Sequence, residues 1–128
     1  MQPISESLAG RRILVVDDDP LVALTFKTFL TGDGHQVETA GSAEEALIKV
    51  HASHYDLVIT DHILPHMTGV ELARQLRIRL PAQPIILTSG SPQPIDPGEP
   101  NFPSVCLLGK PFVPQELKAA VAKTFAQL

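Results

Sequence analysis

Short apolar runs alternate along the chain with segments whose apolar residues recur at helical spacing. The apolar runs cover residues 12–16, 57–60, 85–88 and 105–109, and a short second strand is predicted at residues 36–40. Runs of this length are typical of strands that are covered on both faces, as in a parallel sheet. Their alternation with helices predicts an α/β protein made of βα units.

The segments between the runs carry apolar stripes that would face a sheet. The first helix is predicted to begin at Pro20 and to end at Gly32 and Gly34. The second is predicted to begin after the N-cap Ser42, with Glu45 completing a capping box. Because parallel crossovers are right-handed, the helices should cover both faces of the sheet. The four stripes are Val22, Thr25, Phe26, Phe29 and Leu30; Ala43, Ala46, Leu47 and Val50; Leu72, Ala73, Leu76 and Leu80; and Leu117, Ala120, Val121 and Thr124.

One stretch interrupts this alternation. Between Ser89 and Ser104 the chain contains five prolines separated by one or two residues each. Each proline removes a backbone donor and clashes with the preceding turn, so no helix longer than a turn can persist there. We therefore expect a mobile loop at residues 90–103 in the place of a fourth helix.

Charged and hydroxyl side chains follow the predicted strands. Asp17 and Asp18 follow the first run, Asp61 the third strand and Lys110 the last, while Ser89 ends the fourth. In an open α/β sheet these positions meet at the carboxyl edge, where such folds bind ligands. Three carboxylates that converge within a few ångströms repel one another and need a cation. An all-oxygen cluster of this kind suits Mg²⁺.

Composition narrows the classes of function. The 128 residues suit one domain, with residues 1–10 as a flexible N-terminus and residues 11–128 as the folded part. A net charge of −4 with scattered Lys and Arg argues against nucleic-acid binding. No apolar stretch approaches the roughly 20 residues of a membrane helix, and residues 1–10 do not resemble a signal peptide. We expect a soluble, cytoplasmic protein without a membrane partner.

Cysteine and histidine suggest no further chemistry. Cys106 is the only cysteine and lies in an apolar run, so we expect a small buried hydrophobic residue. The five histidines show no zinc-ligand spacing. His62 and His66 flank the predicted site on one loop, but surface positions are the simpler expectation for both.

Five motifs together resemble the receiver domain of bacterial two-component response regulators. The resemblance covers residues 11–127 and implies a three-layer, doubly wound, flavodoxin-like fold with a five-stranded parallel sheet of order 2-1-3-4-5. Any one motif is weak, but four of them occur in the expected order, each at the end of a predicted strand. The motifs are Val15-Val16-Asp17-Asp18-Asp19-Pro20, Thr60-Asp61, Pro65-x-x-x-Gly69, Leu87-Thr88-Ser89-Gly90 and Lys110-Pro111-Phe112.

The resemblance implies a role for each residue of the site. Asp61 resembles the phosphoacceptor, whose carboxylate forms an acyl phosphate. Asp18 resembles the direct Mg²⁺ ligand, and Asp17 resembles the acid that holds the metal through water. Ile63 would contribute its backbone carbonyl to the metal, so its apolar side chain is no objection. Lys110 resembles the lysine that pairs with the phosphoryl oxygens.

A second group of residues resembles the family's switch. Ser89, which a glycine follows, resembles the hydroxyl that binds the phosphoryl group, and Thr88 is a competing candidate. Strand alternation allows only one of the two to face the site. Leu107 stands where the family often has Tyr or Phe, so the usual aromatic relay is missing or altered. The Lys110–Pro111 bond resembles a cis peptide that would aim the lysine inward.

We therefore expect a stand-alone receiver domain that takes a phosphoryl group from a histidine kinase or a phosphotransfer protein onto Asp61, with Mg²⁺. Its output would be an unidentified downstream protein, and it would not turn over an external substrate. One alternative is an interaction module of the same fold that signals without phosphate. A weaker alternative is a hydrolase that uses Asp61 as its nucleophile on an external phosphoester.

Overall fold

The computed structural model describes residues 10–90 and 105–127. Strands and helices alternate in the described part as far as the fourth strand, as the apolar pattern predicts. The next described element after the fourth strand is the fifth strand. The strands are β1 Arg12–Val16, β2 Gln36–Ala40, β3 Leu57–Asp61, β4 Ile85–Ser89 and β5 Cys106–Gly109, and the helices are α1 Pro20–Gly32, α2 Ala43–Ala52, α3 Gly69–Arg79 and α4 Pro114–Ala126.

The five strands form one parallel sheet in the order β2-β1-β3-β4-β5. This order confirms the predicted flavodoxin-like arrangement. Neighbouring strands end nearly level with one another: Asp61 is in register with Thr88, and Ser89 is in register with Gly109. The residues that follow β1, β3 and β5 therefore meet at the carboxyl edge of the sheet.

The sheet separates two hydrophobic clusters, because successive residues of a strand point to opposite faces. On β1, Leu14 and Val16 belong to one cluster and Ile13 and Val15 to the other. The first cluster also contains buried residues of α2 and α3, and the second contains buried residues of α1 and α4. Two helices thus cover each face, which confirms the three-layer architecture.

Two of the predicted stripe residues do not face the sheet. Thr25 is exposed, and its hydroxyl donates a hydrogen bond to the Leu21 carbonyl of the same helix at 2.8 Å. Ala23 is buried on this helix in its place. Leu80 caps the C-terminus of α3 and is exposed, because the helical periodicity ends at the preceding residue. The last helix also buries Phe125, which the predicted stripe did not include.

The capping box before α2 is only partly as predicted. The Ser42 hydroxyl accepts a hydrogen bond from the Glu45 amide at 3.1 Å, as expected for an N-cap. The Glu45 carboxylate, however, accepts from the amide of Gly41 at 2.9 Å, one residue before the N-cap. The Glu45 side chain therefore holds the residue before the N-cap, and not the N-cap residue itself.

The prediction that every apolar run is covered on both faces is wrong for β5. The burial of β5 alternates between half-buried and exposed residues, and 44% of Leu107 is exposed. Cys106 is half-buried rather than buried. The physical reason is position: β5 lies at the edge of the sheet and pairs only with β4 within the described residues.

Two predictions lie outside the described residues. They are the flexible N-terminus at residues 1–10 and the helix-free loop at residues 90–103, apart from Gly10 and Gly90 themselves. The Gly10 amide donates a hydrogen bond to the Gly34 carbonyl at 3.0 Å. Within residues 10–90 and 105–127, no helix has the length and apolar character needed to cross a membrane.

Candidate functional site

The three aspartates of the turn between β1 and α1 make different contacts. The Asp19 carboxylate is the N-cap of α1 and accepts a hydrogen bond from the Leu21 amide at 2.9 Å. Pro20 occupies the first turn of that helix, where its missing amide costs nothing. Helix capping therefore occupies Asp19 and leaves the Asp17 and Asp18 side chains for other contacts.

The Asp17 carboxylate is buried and only half satisfied. Only 3% of the residue is exposed, and its Oδ1 accepts a hydrogen bond from the Asp19 amide at 2.9 Å. Its buried Oδ2 accepts no hydrogen bond, and the Lys110 Nζ lies 3.8 Å away from it, too far for one. Burial raises the pKa of Asp17 and the nearby Asp61 and Asp18 carboxylates raise it too, against opposing effects from the Asp19 amide and Lys110.

Asp61 ends β3, and a close approach of α3 fixes its backbone. Gly69, the first residue of α3, donates its amide to the His62 carbonyl at 2.8 Å. A Cβ atom at Gly69 would collide with the Asp61 carbonyl oxygen and would lie 2.7 Å from Leu87. The glycine of the Pro65-x-x-x-Gly69 motif is therefore a packing requirement next to Asp61.

Lys110 reaches the acids from the end of β5. Its Nζ donates a hydrogen bond to Asp61 Oδ1 at 3.3 Å, and 27% of its side chain is exposed. Its amide donates to the Ser89 carbonyl at 2.8 Å. Gly90 packs against its stem, since a Cβ there would lie 2.8 Å from Lys110 Cβ. The Lys110–Pro111 peptide bond is cis.

Three carboxylates converge as the strand ends suggest. One oxygen from each of Asp17, Asp18 and Asp61 lies within 4.8 Å of the others, which fits the spacing of ligands around one cation. The buried Asp17 Oδ2 without a hydrogen bond is the kind of atom that a bound cation or its water satisfies. An all-carboxylate donor set suits Mg²⁺ rather than a softer metal. No other such group of His, Cys, Asp or Glu occurs among the described residues.

The remaining predicted residues lie around this cluster. Thr88 is fully buried, and its hydroxyl lies 3.4 Å from the Thr60 carbonyl, to which it donates. Ser89 is half-buried at the end of β4. Ile63 follows Asp61 on the next loop and is 49% exposed. Leu107 lies on the edge strand in register with Leu87, two residues before the end of β5.

The two histidines next to Asp61 differ, and the surface expectation is wrong for one of them. His62 is buried, and its Nδ1 has no hydrogen bond. His66 is exposed and adopts a positive φ of 67°, which is uncommon for a residue with a side chain. His62 lies just beyond the end of β3, where its amide donates a hydrogen bond to the Thr88 carbonyl of β4 at 2.8 Å.

Sequence reasoning missed an apolar cleft beside Asp61. The cleft measures about 590 Å³ and lies between α1 and the segment that follows β5. Asp61 and Lys110 are its charged lining residues, and Phe29 and Phe112 are among its aromatic ones. The helical spacing of Phe29 marked it as a sheet-facing residue, and no pattern in the sequence separates a core wall from a cleft wall.

Comparison with known proteins agrees with this geometry. The family model of the response regulator receiver domain matches residues 13–122. The chain belongs to this family. The receiver domain is 34% identical to the response regulator TrrA of Thermotoga maritima, solved in complex with Mg²⁺ and BeF, with a TM-score of 0.82 over 89% of this chain and 98% of that one. It is 28% identical to the chemotaxis response regulator CheY4 of Vibrio cholerae, with a TM-score of 0.81 over 91% and 99% of the two chains.

Sequence relatives are longer proteins. The receiver domain is 32% identical over 118 residues to the alkaline phosphatase synthesis transcriptional regulatory protein PhoP of Bacillus subtilis, which covers 88% of this chain and 47% of that protein. It is 37% identical over 100 residues to the gliding motility regulatory protein of Myxococcus xanthus, which covers 74% of this chain and 13% of that protein. The chain thus spans half or less of the length of these relatives.

Proposed function

We propose that Asp61 of this receiver domain accepts a phosphoryl group from a phosphohistidine of a histidine kinase or phosphotransfer protein. The observation that supports this most is the contact of Lys110 Nζ with Asp61 Oδ1 at 3.3 Å, inside a cluster of three carboxylates. A carboxylate nucleophile beside a fixed cation is the arrangement that acyl phosphate formation requires.

In the proposed step, one Asp61 oxygen forms a bond to phosphorus while the bond between phosphorus and the imidazole nitrogen breaks. The electron pair of that bond leaves with the nitrogen. Lys110 pairs with a phosphoryl oxygen as charge develops there, exchanging its contact with Asp61 for one with the transferred group. The Ser89 hydroxyl, at the end of β4, is our candidate for a hydrogen bond to another phosphoryl oxygen.

The acidic cluster explains the need for a metal. Asp17, Asp18 and Asp61 would hold Mg²⁺, with the backbone carbonyl of Ile63 as a further ligand. When bound, the ion offsets the negative charge of carboxylates and phosphoryl oxygens. Asp17 contributes from a buried position, where the Asp19 amide fixes its orientation.

We propose that the signal passes to a downstream protein. The phosphoryl group adds negative charge at the carboxyl edge, where the turns after β1, β3 and β5 meet, and so favours a second arrangement of this edge. Thr88 does not serve as the switch hydroxyl in this proposal, because it is buried and already bonded to Thr60. We place the domain in the cytoplasm and expect it not to turn over an external substrate.

The proposal is tested by intact-mass measurement after incubation with phosphoramidate, with and without Mg²⁺. We expect the mass of one phosphoryl group with Mg²⁺ and no gain after chelation. Asp61→Asn should gain nothing. Asp33→Asn is the matched control, because Asp33 pairs with Lys118 at 3.3 Å away from the site. A gain that survives in Asp61→Asn, or no gain in the unaltered protein, contradicts the proposal; the latter would favour a phosphate-independent module.

A further inference from the structure

The cleft beside Asp61 has the size and the chemistry of a small-molecule site. Its volume of about 590 Å³ lies within the roughly 300–1,000 Å³ of such sites. The charged groups that line it, Asp61 and Lys110, lie together, with Lys110 Nζ 3.3 Å from Asp61 Oδ1. Elsewhere its lining is apolar except for Thr25, whose hydroxyl donates to the Leu21 carbonyl at 2.8 Å within α1. A ligand with one anionic end and an apolar body matches this division.

Aromatic side chains form much of the apolar part. The rings of Phe26 and Phe112 lie 5.6 Å apart between centroids, tilted by 30°. Phe26 is buried and Phe112 half-buried, so the first ring fixes the second. Phe29, one helical turn further along α1, lines the same cleft. Such a wall favours a flat aromatic group over a small aliphatic one.

The metal side of the site opens in a different direction. Asp17 and Asp18 line another cleft of about 470 Å³, between α1 and β2, together with Leu24 and Lys27. The aromatic cleft shares Asp61 with the acidic cluster but neither Asp17 nor Asp18. A phosphoryl group held between the cluster and Lys110 would therefore leave the aromatic cleft free for the rest of the donor.

We propose that the aromatic cleft selects small phosphoryl donors that carry an aromatic acyl group, so that benzoyl phosphate modifies Asp61 faster than acetyl phosphate does. This inference rests on the proposed function of Asp61. In the step, an Asp61 oxygen bonds to phosphorus as the bond from phosphorus to the benzoate oxygen breaks. Benzoate leaves with the electron pair, and no proton moves.

The test compares the two donors across variants, so that their intrinsic reactivities cancel. The ratio of the initial rates with benzoyl and acetyl phosphate is measured by intact mass at equal, subsaturating concentrations. Phe29→Ala should lower this ratio about tenfold, the effect of losing about 1.4 kcal/mol of ring contact. Leu21→Ala is the control, because Leu21 is 74% exposed on the same helix and lines neither cleft.

The outcomes separate the two proposals. Modification by acetyl phosphate with an unchanged ratio in Phe29→Ala overturns the aromatic cleft alone. No modification by either donor overturns the function of Asp61 itself. A second measurement needs no variant: benzylphosphonate, titrated with Mg²⁺ present, should shift the NMR signals of the Phe29 and Phe112 rings, and methylphosphonate should not. Equal effects of the two phosphonates, or none, would also refute the selection.

Discussion

Charged residues cluster at both ends of the sheet, but the hydrogen bonding of their side chains differs between the two ends. At the amino end, Arg12 donates to Glu38 at 2.6 Å and to the His54 carbonyl at 3.0 Å, and its backbone amide donates to Asp56 at 2.8 Å. Its guanidinium also lies 4.8 Å from the ring centre of Tyr55. No buried side-chain oxygen or nitrogen of these five residues lacks a hydrogen bond.

At the carboxyl end the charges do not balance. Three carboxylates converge there, Lys110 Nζ lies 3.3 Å from Asp61 and 3.8 Å from Asp17, and the buried Asp17 Oδ2 accepts no hydrogen bond. The pKa directions agree with this contrast. The hydrogen bond from Arg12 lowers the pKa of Glu38, whereas burial raises the pKa of Asp17. A charge cluster whose members bond to one another stabilises the fold, whereas a buried carboxylate oxygen without a hydrogen bond lowers its stability.

The largest expected change in the stability of the metal-free protein comes from breaking the amino-end network. Arg12→Leu removes the donors to Glu38 and His54, and we expect the free energy of unfolding to fall by about 2 kcal/mol. Urea denaturation measures this loss, and phosphorylation of Asp61 should be unaffected. Arg12→Lys keeps the charge but loses the forked geometry of the guanidinium. Its free energy of unfolding should lie between those of the unaltered protein and Arg12→Leu. A loss of phosphorylation in folded Arg12→Leu would refute the claim that the amino-end network does not affect the chemistry of Asp61.

At the carboxyl end, we expect a substitution to raise the free energy of unfolding of the metal-free protein. Asp17→Asn removes a buried charge that burial already disfavours, so the metal-free protein should gain about 1 kcal/mol of unfolding free energy. The same change should abolish most of the stabilisation by Mg²⁺, which in the unaltered protein is about 2.7 kcal/mol at a hundredfold excess over Kd. Asp33→Asn should respond to Mg²⁺ like the unaltered protein. If metal-free Asp17→Asn is less stable, the carboxyl-end cluster satisfies itself after all.

A smaller, pH-dependent effect is expected near the amino end. Burial lowers the pKa of His35 and Arg11 lowers it further, while Asp33 and Asp56 oppose this. Because the folded pKa lies below the usual 6.5, the unfolded chain binds more protons as the pH falls. Stability should therefore be complete above pH 6.5 and decline as the pH falls toward the folded pKa.

The measurement is the unfolding free energy between about pH 8 and about pH 5, in the range where histidine titrates. His35→Phe should flatten the slope below pH 6.5, because a ring remains against Phe125, 5.8 Å away, without a titrating group. The loss on acidification should be smaller than the effect of Arg12→Leu. An equal slope in both proteins would assign the pH dependence to other groups.

Much of the site could be predicted because its residues follow directly from strand ends. Asp17, Asp61 and Lys110 each come after an apolar run, and a parallel sheet brings such positions together. The exposure of Leu107 could not be predicted in this way, because an edge strand and a central strand share one apolar pattern. The same holds for Phe29, whose helical spacing fits a core wall and a cleft wall equally well.

Burial of polar residues was also beyond the sequence. His62 lies in a segment that reads as a loop, and its burial depends on the backbone bond from its amide to the Thr88 carbonyl at 2.8 Å. The division of the acidic turn into a capping Asp19 and two remaining acids likewise depends on local geometry. The sequence pattern thus indicates where the functional residues lie, whereas tertiary contacts decide which groups they bond to.

The central claim is tested most directly by mapping the modified residue. The protein is incubated with phosphoramidate and Mg²⁺, reduced with borohydride at the acyl phosphate, digested and sequenced by mass spectrometry. The account predicts the reduced side chain at Asp61 and at no other aspartate. Modification at Asp17 or Asp18 instead, or no modified peptide from protein that has gained the phosphoryl mass, would contradict it.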